Sequence, residues 1–133
     1  MSEKEVGRSH AARSERGSTA VEFVLLAPIL VLILFSIIEC GRYFNATITV
    51  TQAAREGVRD VAFSKPNATA QATAIAAAQP LVTVTPVVVR TCPSNGSGTS
   101  GELRVDSAFS YDIPFFRART ITISRRAVMR CGG

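Results

Sequence analysis

The chain has 133 residues, room for one small domain with an appendage. Fifteen Lys and Arg against ten Asp and Glu give a net charge of +5, and hydrophobic residues make up 47% although aromatics are only 7% and Trp is absent. Such a composition argues against a compact soluble enzyme. The only histidine, His10, stands in a polar stretch near the N-terminus, which excludes most histidine-based catalysis and metal binding. No Gly-rich phosphate loop, nucleophile–base pair or ligand cluster is present, so neither enzyme activity nor a cofactor or metal is expected.

The aliphatic residues are concentrated rather than dispersed. Residues Phe23–Ile38 (FVLLAPILVLILFSII) form an uncharged run of 16. That is borderline for a membrane helix, which needs about 20 mostly apolar residues, and long for a signal-peptide core. A cleaved signal would need small residues after the run, where Glu39-Cys40-Gly41-Arg42 stands instead. A lipoprotein reading would modify Cys40, but the charged Glu39 precedes it. A retained, single-pass helix is the favoured reading. Lys4, Arg8, Arg13 and Arg16 precede the run and only Arg42 and Arg55 follow it closely, so the N-terminus is expected in the cytoplasm. Cys92 and Cys131 would then lie outside the cytoplasm, where disulfides persist.

Upstream of the run, a basic leader ends at Gly17, and a lone carboxylate, Glu22, stands five residues on. A charge at the bilayer centre costs about 2.5–3.5 kcal/mol, which makes such a residue a functional candidate. Cleavage after Gly17 would make Ser18 the first residue and set a new α-amine one helical turn from Glu22. That amine is largely cationic at neutral pH and could meet the Glu22 of a neighbouring subunit, setting register between packed helices. The alternative is that Glu22 reaches the headgroups and water.

Helical periodicity continues past the apolar run. Phe44, Ile48, Thr51, Ala54, Val58 and Ala62 recur at steps of three and four, predicting one face of a helix over Ser18–Phe63. Such a helix would be about 69 Å long against a hydrocarbon core of about 30 Å, so more than half would project and its apolar stripe would need a partner. Pro28 is either a packing kink or simply tolerated. Glu39 and Arg42 are spaced as a local i, i+3 pair. Arg55, Glu56 and Arg59 belong to a charged block read as a solvated face with internal pairing or as a subunit contact. Ser64-Lys65-Pro66 breaks the helix, and Asn67 is placed to cap a second one, Ala68–Gln79.

Three segments then have strand character: Leu81–Cys92, Glu102–Tyr111 and Thr120–Cys131, the first two separated by the polar loop Pro93–Gly101. The expected fold class is α+β: a long N-terminal membrane-spanning helix, a short helix and a small antiparallel sheet. A sheet this small needs both a helix to pack on and a staple. Cys92 and Cys131 could supply the staple. In meander order, however, the outer strands lie about 9.6 Å apart, beyond disulfide reach. The bridge must then form past the sheet edge, or the two strands must be neighbours. Arg117, Arg119, Arg125, Arg126 and Arg130 form a basic C-terminal cluster suited to solubility or an acidic partner. With no stacking aromatics beside them, nucleic acid is not an expected partner.

Taken in order, several blocks resemble the TadE-like minor pseudopilins of the tight-adherence pilus system. Gly17 followed by Ser18-Thr19-Ala20-Val21-Glu22-Phe23 is similar to a prepilin-peptidase site, with glycine at −1 and glutamate at +5. AVEFVLLAPIL (Ala20–Leu30), IIECGR (Ile37–Arg42) and TQAAREGVRDVA (Thr51–Ala62) extend the resemblance. Cys40, where the family commonly has an aromatic or aliphatic residue, and Ser18 at +1 depart from the pattern. The resemblance implies a pilin-like fold with a leader at 1–17 removed after Gly17, a helix at 18–63 and an extracytoplasmic αβ head at 64–133. It implies register residues Glu22, Phe23 and Pro28. Its implied partners are a prepilin peptidase, other pilins or pseudopilins, the pilus-assembly platform and the lipid bilayer. An uncleaved single-pass protein with an extracytoplasmic binding head is the alternative.

Overall fold

The computed structural model describes residues 8–94, 98–112 and 117–132, with side-chain surroundings from Thr19 onward. Residues 1–7 of the expected leader and residues 95–97 of the polar loop lie outside the described residues. The chain divides into two compact units, Met1–Ile38 and Glu39–Gly133. Its elements are helix α1 (Arg8–Ala62), helix α2 (Asn67–Ala78) and strands β1 (Thr85–Arg90), β2 (Ser100–Tyr111) and β3 (Arg119–Arg130).

Helix α1 starts ten residues before the expected Ser18, because Ala11, Ala12, Arg13, Glu15 and Arg16 favour helix and one glycine at position 17 costs only about 1 kcal/mol. Pro28 lies inside α1. Ser36 in the apolar run donates its hydroxyl to the Leu32 carbonyl at 2.8 Å, so this polar group is satisfied within its own helix. The C-terminus closes as a Schellman motif. Ser64 adopts φ 54°, its N–H donates to the Val61 carbonyl at 3.0 Å, and the Lys65 N–H donates to the Asp60 carbonyl at 3.1 Å.

Asn67 does not cap α2. The cap position is Pro66, which makes no side-chain capping bond, and its carbonyl accepts from the Thr69 and Ala70 N–H groups. Proline's fixed φ suits the approach to the helix, so Asn67 becomes its first helical residue. Beyond α2, the Leu81 and Val82 N–H groups still donate to the Ala78 carbonyl, which keeps both residues out of the expected first strand. That strand spans Thr85–Arg90 rather than Leu81–Cys92.

The strands form one antiparallel sheet in the order β1-β2-β3, with β2 central. Alternation in β2 is clean: Gly101, Leu103, Val105 and Ser107 are buried while the residues between them are half-exposed. In the Glu39–Gly133 unit the buried face packs on α1, where Val50, Ala53, Ala54 and Val58 are at most 1% exposed, and α2 adds Ala74 and Ala78. The core is built largely of small residues and approaches closely.

The expected apolar face of α1 is only partly the buried one. Ala54, Val58 and Ala62 are buried, but Phe44 is 63% and Ile48 56% exposed. At 100° per residue the buried arc centres near Val50, and Phe44 and Ile48 fall on its flank. Hydrophobic size misled the assignment, because the sheet selects the smaller residues it can approach.

Cys92 and Cys131 are bonded, with Cα atoms 5.5 Å apart, although β1 and β3 are not neighbours. Both antiparallel partners of β2 end beside its first residues, with Arg90 opposite Glu102 and Arg130 opposite Ser100. The bridge crosses β2 there, past the ends of the outer strands. A Cβ on Gly101 would stand 3.1 Å from the Cys92 sulfur and 2.7 Å from Val61 Cγ1, so glycine leaves the bridge its passage.

Candidate functional site

Two sets of residues could serve function, one in each unit. In the first, α1 presents its apolar residues outward. Phe23, Val24 and Leu25 are 65%, 67% and 70% exposed, and none of the most apolar window, with mean hydropathy 2.8, is buried within the molecule. The helix is long and apolar enough to cross a membrane by length and composition. Gly17 and Ser18 lie on its backbone, and Glu22 follows Ser18 by four residues, on the same face. Glu22 and Pro28 are exposed, and Glu22 has no ion pair among the described residues. An outward carboxylate in an unpacked apolar helix needs a headgroup, water or a cation from another chain.

In the second unit, the first residues of α1 meet the far end of β2. Arg42 donates to Glu39 at 2.7 Å, as the i, i+3 spacing predicts. Its guanidinium also lies 5.7 Å from the Phe109 ring centroid, and Tyr43 meets the same ring edge-on at 5.7 Å. The second Glu39 oxygen, Oε2, is buried and accepts no hydrogen bond. Cys40 is exposed with a free thiol. An open cleft of about 280 Å³ beside Arg42, Asn45, Val82, Ser107 and Phe109 has no set of convergent charged groups.

Further along α1, Arg55, Glu56 and Arg59 are all exposed. No ion pair joins them among the described residues, so the internal pairing expected of this block does not form. Its fourth charged residue instead turns inward. Asp60 is buried, accepting from Lys65 Nζ and from the Thr73 hydroxyl, each at 2.6 Å. These two bonds, reinforced by the charges of Lys65 and Arg59, hold its carboxyl below the ordinary 3.8 against the opposing effect of burial. Asp60 thereby ties the end of α1 to α2.

Gly57 was legible only as a weak helix residue, yet it is the closest approach in the core. A Cβ there would collide with Leu103 and stand 2.9 Å from Ala74 Cβ and 3.0 Å from the Ala70 carbonyl. The available signal was its pairing with an alanine-rich second helix, since small residues facing small residues permit near contact of two backbones. Among the described residues, no group of His, Cys, Asp and Glu is placed to hold a metal ion.

Residues 17–59, about a third of the chain, match the model of the family described as TadE-like protein. The match begins at Gly17 and takes in Glu22, Glu39, Arg42, Arg55, Glu56 and Arg59. No curated protein and no solved structure matches the chain.

Proposed function

We propose that this chain, TadE-like over residues 17–59, is a minor pseudopilin that supports assembly of a tight-adherence type pilus and is matured by a prepilin peptidase after Gly17. The observation that carries the reading is the coincidence of three features in one helix. The family match opens at Gly17, a carboxylate follows at the fifth position, and the apolar side chains beyond it are unpacked. Cleavage at Gly17 leaves the Ser18 amine beside the Glu22 of the next subunit, converting an isolated charge into a pair where the dielectric is low. Phe23 and Pro28 shape the same packing surface. Glu39, Arg42, Arg55, Glu56 and Arg59 are the polar contacts offered to other pilins and to the assembly platform. The role is structural rather than catalytic, in the cytoplasmic membrane with the head outside.

The mature protein is expected to begin at Ser18 by intact mass and N-terminal sequencing. Gly17→Lys should leave the leader in place, and Glu22→Ala should be processed and inserted but fail to join the assembly. A wild-type chain that keeps Met1 or Ser2 while supporting a normal fibre would refute the reading, and an uncleaved single-pass protein with a binding head would replace it.

A further inference from the structure

The two edges of the sheet are unequal. At β1 the edge is short and guarded: the strand has six residues, contains Pro86, breaks register between Val88 and Arg90, and lies under α2, where Gln71 Nε2 donates to the Pro86 carbonyl at 3.4 Å. These are the usual devices against strand addition. None of them protects β3. It runs 12 residues, pairs with β2 without a shift, has no proline, and is mostly exposed along its length. Alternate backbone N–H and C=O groups on its outer side are available to a further strand.

The helix beneath that edge is also incompletely covered. Phe44, Ile48, Thr51 and Arg55 follow one another by four, three and four residues along the flank of α1 next to β3. A groove of about 410 Å³ separates this flank from the strand, bounded by Thr51, Arg55 and Val58 on one side and Ala127 and Met129 on the other. Ile121, on the core-facing side of β3, is 40% exposed, in addition to Phe44 and Ile48. The sheet is one strand too narrow for its helix, and apolar residues left in this arrangement mark a contact surface.

Charge identifies the occupant. β3 bears Arg119, Arg125, Arg126 and Arg130, and of these only Arg126 is ion-paired among the described residues, to Glu102 at 3.2 Å. Arg119 and Arg125 share the face of Ile123 that looks toward α1, and Arg55 stands across the groove. A second copy of the chain is a poor occupant. Antiparallel pairing of β3 with itself about its middle sets Arg119 against Arg130, and directly opposed like charges destabilise. We propose that the β3 edge and the α1 flank at Phe44, Ile48 and Arg55 receive an extended, acidic segment of a different subunit, added as a fourth strand. Its inward apolar residues cover Phe44 and Ile48, and its carboxylates meet the arginines.

The inference deepens the assembly reading by naming the kind of partner and rests on it. The two fail separately. An unprocessed leader sinks the assembly reading but leaves peptide binding intact, whereas absent binding with normal processing sinks only the strand site.

The test uses the full chain in nanodiscs of zwitterionic lipid and a labelled peptide of alternating valine and glutamate as long as β3. Expected is saturable binding with new hydrogen-exchange protection of β3 amides. The double variant R119E/R125E should bind about tenfold more weakly and Ile48→Ser several-fold more weakly, each with an unchanged circular dichroism spectrum. A valine–lysine peptide should not bind, and neither should valine–glutamate peptides N-methylated at either alternate set of amides. Absence of binding by the wild-type chain, retention by both N-methylated peptides, or equal protection without peptide, whether from a second copy or from lipid, overturns the proposal.

Discussion

Asp60 and Gly57 show how single residues hold the head together. Gly57 is where α1, α2 and β2 come nearest, and adding one methyl group there forces the elements apart. Gly57→Ala, which in an open helix would stabilise, is therefore expected to destabilise the head by about 1–3 kcal/mol, read as a lower denaturation midpoint. Asp60 links the helices through Lys65 and Thr73. Its folded-state carboxyl titrates below the ordinary 3.8, so its contribution is present above that value and is lost as pH falls through the lowered one. Asp60→Asn should melt at lower temperature than wild type at neutral pH, and the difference should shrink as pH falls below the ordinary value. A constant difference across that range would mean that the loss is steric. Neither residue announced itself in the sequence. An aspartate in a charged block reads as exposed, and a helical glycine reads as a defect, until the opposing element is known.

At the scale of elements, periodicity sufficed for existence and order but not for facing. The long helix, the short helix and three strands were all legible, as was the stop near Ser64. The buried arc of α1 was not, because apolar residues occupy more of its circumference than three strands can cover, and hydropathy alone weights Phe44 above Ala53. The first strand was overextended for a related reason: Leu81 and Val82 have strand-like side chains but spend their N–H groups on the Ala78 carbonyl. The staple followed from the cysteines and from sheet spacing together. Its crossing point at Gly101 depended on register. A bridge with sequence separation 39 contributes about 4 kcal/mol in the chain-entropy model. Cys92→Ser, Cys131→Ser and the double variant should each lose close to that amount, with little further loss in the double. Chemical denaturation with and without reductant would measure it.

For the molecule as a whole, the two units face different environments. The first leaves its apolar surface outward, which suits lipid or neighbouring helices rather than water. The second forms its own small core around Leu103, Val50, Val58, Val61 and Val105, so the head's stability should respond to the disulfide and to Asp60 but not to changes at Glu22. A Glu22→Ala chain is accordingly expected to retain a head whose thermal midpoint equals that of wild type while assembly is lost. A drop in that midpoint would show that Glu22 acts on folding instead.

Composition and spacing alone determined that the chain has one apolar helix, a carboxylate near its start with a glycine ahead of it, and a small stapled αβ head. These properties depend on residue type and local repeat, which a linear string carries in full. Tertiary structure decided which arc of α1 is buried, where the bridge crosses the sheet, and which sheet edge is left open. Each of those depends on the distance between elements far apart in the chain, and that distance is set by the smallest residues that meet: Gly57 against Leu103 and α2, and Gly101 beneath the disulfide.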